Sequence, residues 1–139
     1  MRIIIAEDDV ALGRLMKRSL QDAGYHVEHY TTGDSAIEAF GTRHAEVVIT
    51  DLVLRTGDKH RKSGGLGVIH WSKFIAQNRY RPVYVITLSG SYIKEGFESL
   101  LKAAKSIGAD ESLSKPVKTD FLLERIRCIE AELLANVAH

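Results

Sequence analysis

Apolar residues in this chain fall into short continuous runs that alternate with stretches spaced three and four apart. That is the pattern of strands covered on both faces, each followed by an amphipathic helix. The run 2–6, Arg-Ile-Ile-Ile-Ala, predicts a buried strand β1. Leu12, Leu15, Met16 and Leu20 then recur at helical spacing and predict α1, with Gly24 as a left-handed stop. Residues 25–30 alternate more polar with less polar side chains, which suits a half-exposed edge strand, β2. A helix α2 is expected over 34–42, and a strand β3 over 46–50 that delivers Asp51 at its C-terminal end. After a loop come α3 over 66–77 and β4 over 82–88, a β-branched run with Pro82 at its entry, where a missing N–H is tolerated. Phe97, Leu100, Leu101, Ala104 and Ile107 mark α4, which stops at Gly108; a short β5 is expected over 111–113. Val117, Phe121, Leu122, Ile126 and Ile129 carry the last helix, α5.

Strictly alternating strands and helices imply an α/β fold, a mainly parallel sheet with helices on both faces and right-handed crossovers. The polar β2 belongs at an edge and the apolar β1, β3 and β4 inside, which favours the flavodoxin-like, doubly wound (βα)5 order 2-1-3-4-5. In such a sheet the ligand site lies beyond the carboxyl ends of the strands, where the order reverses between β1 and β3.

Composition narrows the classes without naming a partner. A chain of 139 residues, 45% of them hydrophobic and 27% charged, has the size and balance of one folded domain rather than a disordered or membrane segment. The formal charge of +1 gives no field that would draw it to nucleic acid or to an anionic bilayer. A single cysteine, Cys128, cannot form an internal disulfide, and neither a long apolar stretch nor a leader is present, so a reducing cytoplasm is expected. The histidines are scattered without metal-ligand spacing.

Chemistry gathers at the strand ends. Glu7 and Asp8 close β1 and Asp51 closes β3, and in the expected order these are neighbouring strands roughly 4.8 Å apart. Carboxylates held that close raise one another's pKa unless a cation shares the site. Oxygen ligands alone, and few of them, suit Mg²⁺, which keeps several waters and shares its shell with phosphate oxygens. The plainer reading of such a cluster is a solvated acidic loop. Ser89 closes β4 before Gly90, and Lys115-Pro116 follows β5, so a hydroxyl and an ammonium group reach the same end of the sheet. Each alone is an ordinary turn serine or solvated lysine; the weight lies in acids, hydroxyl and ammonium at one end of four strands.

As a set these residues resemble the receiver domains of two-component response regulators, along nearly the whole chain. The opening Ile5-Ala6-Glu7-Asp8-Asp9, the strand-end Asp51, the hydroxyl Ser89, the run Gly108-Ala109-Asp110 and the pair Lys115-Pro116 carry the similarity. The resemblance implies that Asp51 is the phosphoacceptor. It implies Mg²⁺ held by Glu7, Asp8, Asp51 and the carbonyl of Val53, with Lys115 and Ser89 on phosphoryl oxygens. It further implies a histidine kinase or phosphotransfer protein as donor and a downstream protein effector met through the α4-β5-α5 face. The domain then catalyses only its own phosphorylation and dephosphorylation, with neither nucleic acid nor membrane as partner. Since α5 takes up most of the chain after Lys115, the expectation is a single receiver domain over 1–139 with no separate output domain.

The pattern is not followed everywhere. Thr87 shares a strand face with Ser89 and competes for the hydroxyl role, although glycine after Ser89 leaves more room than Leu88 after Thr87. Ser112 stands where many receivers carry an aromatic, and Val117 where phenylalanine is common. The β3–α3 loop is long, carries Arg55, Lys59, His60, Arg61 and Lys62, and has glycines at 57, 64 and 65 that suggest mobility. A solvated insertion is the simpler account of it; cations that guide an anionic donor are the sharper one. Two other functions compete: a receiver-like adaptor that accepts no phosphate, and an aspartate-nucleophile phosphatase. The phosphatase needs a second acid where this chain has Val53.

Overall fold

The computed structural model describes residues 1–54, 64–90 and 97–137. The basic loop residues 55–63 and the approach to α4 over 91–96, both singled out above, lie outside the described residues. The elements run β1 (Arg2–Ala6), α1 (Val10–Asp22), β2 (His26–Tyr30), α2 (Gly33–Thr42), β3 (Val47–Asp51), α3 (Gly65–Asn78), β4 (Tyr84–Ser89), α4 (Phe97–Ser106), β5 (Glu111–Ser114) and α5 (Thr119–Val137). The sheet has five parallel strands in the order β2-β1-β3-β4-β5, the flavodoxin-like arrangement, with β2 at an edge as the pattern predicts.

The continuous apolar runs have a simple cause. Ile3, Ile5, Val47, Ile49, Ile86 and Leu88 point to one side of the sheet, where Met16 and Leu20 of α1 and Leu122, Ile126 and Ile129 of α5 meet them. Ile4, Ala6, Val48 and Val85 point to the other, against Ala36 and Phe40 of α2, Val68, Ile69 and Ala76 of α3, and Ala104 of α4. Every strand residue in β1 and β3 is therefore buried, and burying each large side chain contributes about 1.5–3 kcal/mol. These two layers hold the strand ends in register, and that rigidity is what the site inherits.

Boundaries move where local chemistry differs from the apolar pattern. Pro82 and Val83 precede β4 rather than open it, and the strand instead runs on to Ser89, whose carbonyl accepts the Lys115 N–H at 2.7 Å. Helix α5 begins at Thr119, after Pro116, and continues to Val137. Leu15, counted among the helical apolar positions, is 56% exposed, because it lies about 100° around the helix from buried Met16. The run Gly108-Ala109-Asp110 serves the fold directly. Asp110 accepts from the Val85 N–H at 2.8 Å and from Lys73 Nζ at 2.7 Å, tying β4, the start of β5 and α3 together.

Gly65, the last of the glycines counted with the β3–α3 loop, has a packing reason of its own. A Cβ there would sit 2.3 Å from the Asp51 carbonyl oxygen and 2.4 Å from that of Leu52, so α3 starts directly against the exit of β3. Both obstacles are backbone atoms and cannot swing aside. Gly65→Ala is expected to lower stability by about 1–3 kcal/mol, read as a reduced urea midpoint with unchanged slope.

Candidate functional site

Parallel pairing aligns the carboxyl ends of β1, β3, β4 and β5 on one rim. Glu7 follows β1, with its N–H donated to the Tyr30 carbonyl at 3.0 Å. Its side chain is fully buried. Asp8 is half-buried, and Asp9 caps α1 by accepting from the Leu12 N–H at 3.1 Å. Asp51, the last residue of β3, is 6% exposed. One carboxylate oxygen from each of Glu7, Asp8 and Asp51 lies within 4.8 Å of the others.

Lys115 answers this negative charge. Its Nζ lies 2.6 Å from Glu7 Oε1 and 2.8 Å from Asp51 Oδ2, so a single ammonium bridges the ends of β1 and β3 from beyond β5. The second Asp51 oxygen, Oδ1, accepts the Val53 N–H at 3.1 Å, which orients the carboxylate. Burial opposes the Lys115 charge, but the hydrogen bonds to Asp51 and Glu7 outweigh it and raise its pKa. For Glu7 burial wins: its pKa rises from 4.5 to about 7, with Lys115 pulling it down and Asp51 pushing it up.

Glu7 Oε2 is buried and has no hydrogen-bond partner among the described residues. An unsatisfied buried carboxylate oxygen is costly. With two further carboxylates within reach, the donor set fits a hard divalent cation, and without one a proton on Glu7 relieves the same strain.

The remaining expected residues lie at the same rim in different states. Ser89 ends β4, is 6% exposed, and neighbours Ser114 in the ladder; its hydroxyl makes no hydrogen bond to Asp51 or Lys115. Thr87 is two residues further back, fully buried, with Oγ1 2.8 Å from Ser112 Oγ. Val53 turns its side chain outward, 56% exposed. Residues outside the sequence pattern also touch the site: His29 Nε2 lies 2.8 Å from the Glu7 carbonyl, over Gly13 of α1, and Gly65 abuts Asp51. A glycine interrupting an amphipathic helix was the signal available for Gly13.

Comparison with known proteins shows the family and the fold. The profile of the family described as the response regulator receiver domain matches residues 3–127. The chain belongs to that family. Among curated relatives, the transcriptional regulatory protein RprY of Bacteroides fragilis is 30% identical over 93% of this chain and 49% of its own length. The receiver domain thus spans about half the length of the curated relatives it matches. Transcriptional regulation is what the name of RprY, and of several others among these longer proteins, states. Two solved structures show the same fold. The chemotaxis protein CheY4 of Vibrio cholerae has a TM-score of 0.72 at 20% identity, covering 92% of this chain and 97% of that one. The receiver domain of NtrX from Brucella abortus has a TM-score of 0.72 at 24% identity, covering 91% and 96%. No helix among the described residues of the receiver domain is long and apolar enough to cross a membrane.

The raised Glu7 pKa makes stability depend on pH in metal-free protein. Between about 4.5 and about 7 the folded state binds more protons at Glu7 than the unfolded chain does, so this group's contribution falls as pH rises through that window. Glu7→Gln cannot ionise. In chelator-treated protein its stability relative to wild type is expected to improve by about 1–3 kcal/mol from pH 5 to pH 7.5, measured by urea denaturation at both.

Proposed function

We propose that this receiver domain takes a phosphoryl group onto Asp51 from a histidine kinase or a phosphotransfer protein and signals by a change in protein contacts. One observation carries the reading: a nearly buried aspartate at the end of β3 has one carboxylate oxygen 2.8 Å from the ammonium of Lys115, beside two further carboxylates. An isolated acidic loop has no reason to be built this way.

The chemistry comes from the charges. An Asp51 carboxylate oxygen attacks the donor's phosphorus, the bond from phosphorus to the donor breaks, and an acyl phosphate forms. Lys115, already 2.8 Å from Oδ2, follows the negative charge onto a phosphoryl oxygen and gives up part of its hold on Asp51. The Val53 N–H on Oδ1 keeps the carboxylate plane from turning. Glu7, Asp8 and Asp51, with the Val53 carbonyl that the family resemblance implies, would hold Mg²⁺. That ion, when bound, supplies positive charge against the phosphoryl oxygens.

Ser89 is the hydroxyl that meets the new group. It stands at the end of β4, whereas Thr87 lies a full pleat deeper and is engaged with Ser112. A hydrogen bond gained by Ser89 shifts the end of β4, and the α4-β5-α5 face reads the difference. Such a switch needs only two arrangements a few kcal/mol apart. An aromatic rotamer does not take part, because β5 offers Ser112, exposed and bonded to Thr87, in its place. The Val53 side chain has no proton to give a leaving group, which supports self-phosphorylation over the hydrolysis of external esters.

The test is the intact mass of the protein after incubation with a small phosphodonor, with and without Mg²⁺, beside Asp51→Asn. The expected result is a single phosphoryl adduct that requires Mg²⁺ and disappears in the variant. An adduct that survives Asp51→Asn, or none under any condition, overturns the proposal.

A further inference from the structure

Both backbone polar groups of Glu7 are held by the edge strand β2. Its N–H donates to the Tyr30 carbonyl at 3.0 Å, continuing the ladder in which Ile5 faces His29 and Ala6 faces Tyr30. Its carbonyl, which would otherwise leave the strand without a partner in that ladder, lies 2.8 Å from His29 Nε2. A carbonyl can only accept, so the proton of this bond is on Nε2. The ring is half-buried and reaches this point by lying across helix α1, where it occupies the space a side chain at position 13 would need. A Cβ on Gly13 would stand 2.1 Å from both Cε1 and Nε2 of His29.

Gly13 lies inside α1, buried, where glycine costs about 0.5–1 kcal/mol relative to alanine. Its backbone is helical, and no left-handed conformation calls for glycine there. Room for the imidazole is what the missing side chain provides. The pair therefore joins three elements at the strand end from which Glu7 and Asp8 project: β2 supplies the donor, α1 the slot and β1 the carbonyl.

We propose that His29 is a positioning residue for the acidic cluster, its Nε2–H fixing the Glu7 carbonyl so that Glu7 and Asp8 keep the arrangement a divalent cation requires, and that Gly13 is glycine to admit that ring. The inference rests on the reading of Glu7, Asp8 and Asp51 as a cation site. Outer-shell groups that orient metal ligands in this way change metal affinity by about 10–100-fold when removed.

The apparent Mg²⁺ dissociation constant, measured by calorimetry on the full chain with no phosphodonor, tests it. His29→Ala is expected to weaken Mg²⁺ binding about tenfold. Gly13→Ala should weaken it similarly by pushing the ring aside, even though alanine is the better helix former. His29→Gln, whose amide nitrogen can reach the same carbonyl, should recover most of the affinity. Adding Gly13→Ala to His29→Ala should cost nothing further, because no ring remains to displace.

Wild-type affinity in both single alanine variants overturns the inference while leaving the cation site standing. So does glutamine performing no better than alanine, or Gly13→Ala being equally harmful with and without the imidazole. Should His29→Ala not fold, Gly13→Ala decides alone: weakened Mg²⁺ binding supports the inference and wild-type affinity overturns it. A wild-type chain that binds no Mg²⁺ at millimolar concentration removes the reading of the cluster itself, and the inference with it.

Discussion

The ammonium of Lys115 between the carboxylates of Glu7 and Asp51 is the contact on which the functional end of this molecule depends. Two acids withdrawn from water at the ends of adjacent strands would repel each other in a medium that screens poorly. Taking each ion out of water costs several kcal/mol, and only a well-placed counter-charge offsets it. Lys115 comes from beyond β5, on the far side of β4 from Asp51. The pairing can form only when β1, β3, β4 and β5 are assembled, and the same contact that lowers the electrostatic cost therefore ties the site to the finished fold.

One ammonium does not satisfy the cluster. Glu7 keeps an oxygen without a partner among the described residues, and its carboxyl titrates near neutrality because burial penalises the ionised form more than Lys115 favours it. A proton, a divalent cation and the lysine are three ways of supplying positive charge to the same group of oxygens. The proton and the cation compete, since binding a metal requires the ionised carboxylate. A site left partly unsatisfied in this way is less stable than an apolar plug and more useful, because its composition can change while the strands beneath it stay still.

That stillness is produced by residues with no chemistry of their own. Gly65 lets α3 start against the carbonyls of Asp51 and Leu52, and Gly13 lets His29 cross α1 to the Glu7 carbonyl. In both places a single Cβ would force backbone or ring to move. Beneath the rim, Ile3, Ile5, Ile49 and Leu88 are wholly buried, so the strand ends cannot shift without opening the core.

From the sequence alone one could read the alternation of strands and helices, the edge position of β2, the stops at Gly24 and Gly108, and the candidate acids, hydroxyl and lysine at the strand ends. These are local signals: apolar period, glycine conformation and residue type are properties of neighbours along the chain. Contacts between distant segments were decided only in three dimensions. Lys115 on Glu7, more than a hundred positions away, the engagement of Thr87 with Ser112, the outward turn of Leu15 and the lodging of His29 over Gly13 all depend on which elements pack together and at what rotation. Local pattern specifies which face of an element is apolar, but which side chain meets which across the packed layers is set by the register and angle of packing, and neither is written in any single stretch of residues.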